Sequence, residues 1–209
     1  MIVAALTVLQ PLRAHGHEVI VVDGGSTDAT PALSHPLADR VISAPRGRSS
    51  QMNAGVRAAT GEAFLFLHAD TRLPQAADEL VVDALAHHAW GRFDVTIDSA
   101  HPLLAVVAFM MNQRSRITGI STGDQALFVS RDVFDEAGGY PPIALMEDVA
   151  LCALLRRSGA PACLGAKAMT SGRRWERRGV LRTIVLMWRL RLLYFLGVDP
   201  ARLARIYAQ

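Results

Sequence analysis

The sequence predicts an α/β protein with a mostly parallel sheet flanked by helices. Strand-like apolar runs alternate with helical segments through the first 90 residues, which is typical of βαβ units. The β-branched run HEVIVVD (17–23) ends in an acid and predicts a buried parallel strand. In GEAFLFLHADTRLP, residues 63–67 are apolar throughout, as expected of a strand buried on both faces.

The other elements are predicted in chain order from periodicity and breakers. Helical spacing of apolar residues from Ile2 to Leu12 predicts that the chain opens in an amphipathic helix. GGSTDAT predicts a turn and a helix capped by Ser26 or Thr27. The remaining predictions are a short strand at 40–45, a loop and helix at 47–61, an antiparallel strand with alternating polarity at 90–98, a helix at 103–116, a strand at 124–130 and helices at 131–140 and 145–159.

Composition limits the classes of function. A chain of 209 residues with 51% hydrophobic and 20% charged residues forms one substantial core. The net charge of +3 comes mainly from arginines concentrated at 173–191, so it describes a local surface and we expect no nucleic-acid partner. Cys152 and Cys163 fit neither a metal spacing nor a disulfide framework, which indicates a reduced, cytoplasmic setting. No signal peptide and no apolar run long enough to span a bilayer is predicted.

Acidic residues follow the predicted strands or begin helices at three places. These are Asp23, Asp70 and the pair Glu147–Asp148, and Arg48 lies in the loop between the first two. For each acid alone, helix capping or a solvated loop is as good an explanation as a functional role. Because ligands of open α/β sheets bind at the carboxyl ends of strands, however, the set predicts a site for a phosphorylated ligand and a divalent cation.

Four motifs in order carry a resemblance to a known family. EVIVVDGGSTDAT, GRSSQMNAGVRAATGEAFLFLHADTRLP, GDQALFVSRDVF and MEDVALCALLRRSG together resemble a family 2 glycosyltransferase of the GT-A fold, a Rossmann-like nucleotide-diphospho-sugar transferase. More narrowly, they resemble the small bacterial subgroup of arsenosugar-biosynthesis or radical-SAM/selenodomain-associated transferases. The resemblance covers nearly the whole chain.

The resemblance implies roles for the donor site. Asp23 and Gly24 would bind the nucleotide together with Arg48, although many relatives carry a second Asp where Gly24 stands. HAD occupies the Asp-x-Asp position, so Asp70 would hold Mn²⁺ or Mg²⁺ against the diphosphate. His68 replaces the first Asp of that motif. It either ligates the metal or only hydrogen-bonds at the strand end.

The resemblance also implies roles for the acceptor side. Asp148 would be the catalytic base, with Glu147 orienting the acceptor and Asp124 assisting on the acceptor or diphosphate side. SGRRW resembles the Gln-x-x-Arg-Trp motif of processive synthases with Ser171 in place of Gln. Arg173 or Arg174 would then clamp the diphosphate and Trp175 would stack on the acceptor, although a basic turn before a helix explains Arg173 equally well.

The implied reaction is a metal-dependent, inverting transfer of one sugar to an acceptor hydroxyl, of the hexosyltransferase type. A UDP-sugar is the first donor to test, and the acceptor is a small molecule or a lipid. Two alternatives stay open: a catalytically weak nucleotide-sugar-binding or membrane-docking module, and a nucleotidyltransferase on a similar sheet.

The resemblance predicts a missing first strand. Relatives begin with a strand that would lie beside EVIVVD, whereas Met1 already lies in the helix that follows it. Our hypothesis is that the natural start lies upstream or that the chain is truncated, which would weaken nucleotide binding.

Two segments are predicted, 1–172 as the GT-A domain and 173–209 as a basic, amphipathic helical segment. The second segment carries Arg178, Arg182 and Arg189 with Trp188 and other apolar residues around them. It packs on the core, on a second subunit of a homodimer or on an anionic membrane surface. The last case would place the protein at the inner face of the membrane.

Overall fold

A computed structural model describes residues 2–208. The strands are β1 (Ile20–Asp23), β2 (Arg40–Ser43), β3 (Ala63–Leu65), β4 (Thr71–Arg72), β5 (Trp90–Asp98), β6 (Phe128–Ser130) and β7 (Ala162–Ser171). The helices are α1 (Ile2–Thr7), α2 (Gln10–Ala14), α3 (Thr30–Ser34), α4 (Arg48–Ala58), α5 (Ala77–Leu85), α6 (Pro102–Thr118), α7 (Arg131–Glu136), α8 (Glu147–Leu155), α9 (Arg173–Arg178), α10 (Val180–Phe195) and α11 (Pro200–Ala208), with short 3-10 helices at His35–Leu37, Gly123–Gln125 and Arg156–Ser158. The α/β class is confirmed.

The strands form two sheets. One contains β1 and β2, and the other has the order β3-β6-β5-β7-β4. The β1–β2 and β5–β7 pairs are parallel, whereas β3–β6, β5–β6 and β4–β7 are antiparallel. The two parallel pairs are the longest ladders, as expected of a mostly parallel sheet, whereas β6 runs antiparallel to the two strands between which it lies.

The strand β1 is less buried than its sequence predicts. All four of its residues are half-buried, and in the described chain it pairs with β2 alone. The side-chain amide of Gln51, on α4, donates a 2.9 Å hydrogen bond to the carbonyl oxygen of Val22. Among the described strands, β1 therefore shares no ladder with β3. The strand that relatives carry beside EVIVVD stays a prediction.

Two local expectations near the N-terminus are wrong. The opening helix is two short helices, since Pro11 lies in the first turn of α2 and cannot donate to a continuous helix. The cap of α3 is neither Ser26 nor Thr27, because that helix begins at Thr30. The Asp28 carboxylate accepts from the Thr30 amide instead, at 3.0 Å.

The alternating strand β5 is buried along most of its length. Arg92 is 1% exposed and Asp94 is 8% exposed, although alternation predicts that polar residues face solvent. The helix α6 covers them, and its Asn112 side chain bonds both the amide and the carbonyl of Val95. The strand pairs antiparallel with β6 as expected, but parallel with β7.

The C-terminal helices pack on the core by one face. Leu190 of α10 and Leu203 of α11 are fully buried in a cluster with Leu145, which lies just before α8. The C-terminal segment thereby reaches the loop that positions the start of α8. Among residues 2–208, no helix is long and apolar enough to cross a membrane.

Candidate active site

The two acids of the MED motif begin α8. Met146 precedes them in the left-handed conformation (φ 67°), which turns the chain sharply into the helix. The Glu147 side chain is buried. The Asp148 carboxylate accepts from the backbone amides of Gly123 (3.0 Å) and Val149 (2.8 Å). The N-terminal end of a helix favours negative charge, so this position stabilises two adjacent carboxylates.

Arg48 faces these acids from α4. It is the first residue of that helix, not part of a loop as predicted, and Gly47 before it has φ 146°, a value that favours glycine. The Arg48 Nη1 lies 3.6 Å from Glu147 Oε1. Burial and the charge of Asp148 raise the pKa of Glu147, and Arg48 and His68 offset part of that rise. Glu147 therefore keeps its proton to a higher pH than a free glutamate does.

His68, at the end of the β3 run, contacts the GDQ segment. Its Nδ1 lies 3.7 Å from Asp124 Oδ1, and the Thr170 hydroxyl donates to the same Asp124 oxygen at 3.2 Å. Burial raises the pKa of Asp124, but hydrogen bonding and charge from His68 outweigh burial and hold this pKa below its usual value. Asp124 is thus an anion fixed between His68 and β7.

Gly123 has no room for a side chain. A Cβ built on Gly123 would lie 2.4 Å from the Cε1 and Nε2 atoms of His68. The same residue donates its amide to Asp148. The absence of a side chain therefore lets the His68 ring and the Asp148 carboxylate approach one backbone segment.

The variant Gly123→Ala is expected to displace the His68 ring and weaken the amide bond to Asp148. The cost of such overpacking is about 1–3 kcal/mol of stability, measurable by chemical denaturation. Gly165→Ala is the matched control, since no atom lies within 4 Å of a Cβ there. The double variant Gly123→Ala/His68→Ala should recover part of the loss, and no recovery would contradict the steric account.

Two cavities lie in this part of the molecule, and only the smaller is lined by these residues. The smaller, of about 10 Å³, is lined by Arg48, His68, Gly123, Glu147 and Asp148 among others, and has room for at most one water. The larger is a cleft of about 490 Å³, which lies within the size range of small-molecule sites. Its lining consists of Asp70, Ser171, Arg173, Arg174, Arg177 and Arg178, and we call it the arginine cleft.

Tyr207 of α11 connects the linings of both cavities. The Arg174 guanidinium stacks 3.8 Å from the centre of the Tyr207 ring. The Tyr207 hydroxyl interacts with Arg48. Burial lowers the pKa of Arg48, but the interactions with Glu147, Tyr207 and Asp148 outweigh burial and raise it. Arg178 donates to the Tyr207 carbonyl at 2.8 Å. Three arginines thus hold this tyrosine.

The sequence-predicted residues fall into separate groups. Arg48, His68, Asp124, Glu147 and Asp148 form one contact network. Asp70, Arg173 and Arg174 line the arginine cleft beside it.

Asp23, Gly24 and Trp175 lie outside both linings. The hydrogen bonds of the Asp23 carboxylate in the described chain are local, from the amides of Gly25 and Ser26, and they lower its pKa. A Cβ on Gly24 would lie 3.0 Å from the Gln51 side chain. Trp175 packs against the cluster of Val95, Ile97, Leu104, Ala108 and Val180. Roles of all three in ligand binding stay predictions.

Sequence reasoning missed Gly123, Tyr207 and Tyr140. Tyr140 is buried, and burial and the charge of Asp148 raise its pKa well above the ordinary value. The Asn53 side-chain amide donates to the Tyr140 carbonyl and accepts from the Tyr140 backbone amide. The GDQ motif could have indicated Gly123. No local signal marks Tyr207, since its partners lie far away in sequence.

A protein-only metal site is not formed by the described residues. Among residues 2–208, no group of three or more His, Cys, Asp and Glu side chains could hold a metal ion. Asp70 borders the arginine cleft as an exposed carboxylate. Magnesium commonly takes one or two carboxylates and completes its shell with substrate phosphates and water. The donor set therefore fits a cation that enters with a diphosphate.

The fold belongs to a known class. The chain is similar to a mannosyltransferase from Pyrobaculum calidifontis, solved with GDP-Man and Mn²⁺, at 24% identity and TM-score 0.55 over 83% of this chain and 51% of that one. It is similar to S. aureus TarS solved with UDP-GlcNAc, at 15% identity and TM-score 0.58 over 74% of this chain and 49% of that one. It is also similar to Mycobacterium tuberculosis glucosyl-3-phosphoglycerate synthase solved with phosphoglyceric acid, at 19% identity and TM-score 0.55 over 81% of this chain and 65% of that one. The architecture is that of the GT-A glycosyltransferases.

The family follows from the sequence match. Residues 6–137 match the family described as Glycosyl transferase family 2, and the chain belongs to that family. It spans about half the length of the first two of these solved relatives. No curated protein sequence matches the chain.

Proposed function

We propose that this chain transfers one sugar from a nucleotide-diphospho-sugar to an acceptor hydroxyl, with inversion at the anomeric carbon. The observation that carries the proposal is the Glu147–Asp148 pair at the start of α8, which faces Arg48. Tyr207 links Arg48 to Arg174, which lines the arginine cleft. A fixed carboxylate and an anion-binding cleft are the two parts that such a reaction needs.

The arginine cleft is assigned to the donor diphosphate. Arg173 and Arg174 at the start of α9 present guanidinium groups, which pair with phosphate oxygens in a planar, two-pronged geometry. Asp70 at the edge of the same cleft would hold Mn²⁺ or Mg²⁺ together with the diphosphate. When bound, such a cation neutralises charge on the departing diphosphate.

Asp148 is assigned as the general base. Its two amide contacts fix the carboxylate so that a free lone pair can accept the proton of an acceptor hydroxyl. Attack from the face opposite the diphosphate breaks the sugar–oxygen bond in one step, which inverts the anomeric centre. Glu147 and Asp124 border the acceptor side, Glu147 paired with Arg48 and Asp124 with His68. The narrower arsenosugar-associated resemblance assigns a small metabolite or a lipid as acceptor.

Release of product nucleotide tests the proposal. The protein is incubated with UDP-, GDP- and dTDP-sugars and Mn²⁺, and nucleotide diphosphate and pyrophosphate are quantified separately. Nucleotide diphosphate from one donor supports transfer, and NMR of the product gives the anomeric configuration. Pyrophosphate would indicate nucleotidyl transfer instead. Donor binding by thermal shift without any release would support the binding-module alternative.

The variant Tyr207→Ala is expected to tighten donor binding. The Tyr207 ring stacks on Arg174 and its hydroxyl interacts with Arg48, so a diphosphate that binds these arginines must displace Tyr207. A cation–π contact and a hydrogen bond together correspond to a decrease in Kd of roughly threefold to thirtyfold, measured by calorimetry. Tyr207→Phe keeps the ring on Arg174 and should give a smaller gain. Weaker binding by Tyr207→Ala would show that Tyr207 supports the arginines and does not compete for them.

A further inference from the structure

The helix α10 exposes an apolar stripe on the side opposite its buried face. Leu190 and Thr183 are buried, whereas the outer stripe is 60–71% exposed. Its members are Leu181, Val185, Trp188, Leu192 and Phe195, spaced three or four residues apart, and Leu196 directly after the helix. A helix whose solvent side is apolar needs a partner, because isolated exposed apolar residues are normal but contiguous stripes are not.

The helix α6 exposes a second apolar stripe. Leu103, Val106, Met110 and Ile117 recur at helical spacing and are 37–83% exposed, and Phe109 beside them is 59% exposed. This helix lies next to α10, since its Val107 and Met111 pack in the same cluster as residues 180 and 184 of α10. Two neighbouring helices therefore both leave apolar side chains in solvent.

The charged residues on these two helices are all basic. Residues 102–118 and 180–195 contain no Asp or Glu. On α10, Arg182 and Arg189 fall on one flank of the outer stripe and Arg191 on the other, at helical spacing. Arginine side chains at the edge of an apolar face can lay their stems along it and hold the guanidinium groups in the polar layer.

We propose that the α6–α10 face docks on an anionic membrane surface, with the outer stripe in the interfacial region and the arginines on lipid phosphates. An apolar stripe with flanking cationic residues and an exposed tryptophan is the pattern of helices that lie in the membrane plane. A two-fold dimer through this face would bring the arginines of both copies together with no carboxylate on either helix to offset them. This proposal does not depend on the proposed transferase activity.

Vesicle co-sedimentation tests the docking. The full chain is mixed with phosphatidylcholine vesicles with and without phosphatidylglycerol, and the bound fraction is measured at low and high salt. We expect binding to the anionic vesicles, weakened by salt and weak on pure phosphatidylcholine. The double variant Arg182→Gln/Arg189→Gln should lower the partition coefficient by roughly fivefold per arginine.

Trp188→Glu should reduce binding at least tenfold, because it places a charge in the apolar layer. Val82→Glu is the matched control, since Val82 is 64% exposed on α5, away from this face. Both variants should melt like the parent. Trp188→Phe should keep binding but remove the blue shift of tryptophan fluorescence on vesicles, because Trp90 is fully buried and Trp175 packs against the cluster that contains Val180.

Two results would overturn the proposal. One is unchanged vesicle binding by Trp188→Glu, which would place the contact elsewhere. The other is a dimer in sedimentation velocity that Trp188→Glu dissociates, with no vesicle binding by the parent, which would make a second copy of the chain the occupant of this face.

Discussion

Replacement of Asp148 by Asn should lower the kcat of sugar transfer by about 10²–10⁴-fold while leaving donor affinity nearly unchanged. Asn has almost the shape of Asp and keeps one acceptor oxygen, so it retains the bond from one of the Gly123 and Val149 amides, which donate to different carboxylate oxygens of Asp148. It cannot accept the proton of the acceptor hydroxyl at neutral pH. The loss therefore belongs to the chemical step, and the measurement is single-turnover nucleotide release with saturating donor and acceptor.

The matched control is Asp132→Asn. Asp132 is an exposed acid in the first turn of α7, so it shares the helix-terminal environment of Asp148 without adjoining either cavity. Its activity should equal that of the parent. A kcat of Asp148→Asn within threefold of the parent, with the fold intact, would remove Asp148 as the base and leave Glu147 or Asp124 to be tested.

Replacement of Asp94 by Asn is expected to give the largest loss of stability. Asp94 pairs with Arg92 and, through two 2.8 Å contacts, with Arg116. Arg92 is 1% exposed on the central strand β5. Loss of the carboxylate would leave a buried guanidinium without its counter-charge, which costs about 3–5 kcal/mol of the free energy of unfolding. The melting temperature should fall by ~10 °C.

The pH dependence of stability follows from the same group. Burial raises the pKa of Asp94 in the folded protein, but the hydrogen bonds and charges of Arg116 and Arg92 outweigh burial and lower it. The unfolded chain therefore binds this proton more readily, at a pKa of about 3.9. The stabilisation is present above that value and is lost as the pH falls through the lower folded pKa. The difference between the parent and Asp94→Asn should shrink in that acidic range.

Asp98→Asn is the control for this experiment. Asp98 ends the same strand but is exposed, so its loss should change stability by less than about 0.5 kcal/mol. Equal stabilities of Asp94→Asn and Asp98→Asn in urea unfolding would show that Arg92 finds another partner or water. The buried network would then have no structural role.

The regular elements were largely predictable because their signals are local. The β-branched run ending at Asp23 and the apolar run after Gly61 became β1 and β3, and the acids of MED begin α8 as expected. Where tertiary packing competes with local pattern, prediction failed. The alternating strand β5 is buried because α6 lies over its polar residues, and half-buried β1 lacks a second neighbour among the described strands.

The sequence by itself determined the α/β class, the family and the acids and arginines available for chemistry, because periodicity and motifs are encoded within short stretches. Only the tertiary structure decided which of them meet. Arg48 reaches Glu147, His68 lies against Gly123, and Tyr207 lies between Arg48 and Arg174. These partners are distant in the chain, so strand order and helix packing set their separations, and no local pattern records them.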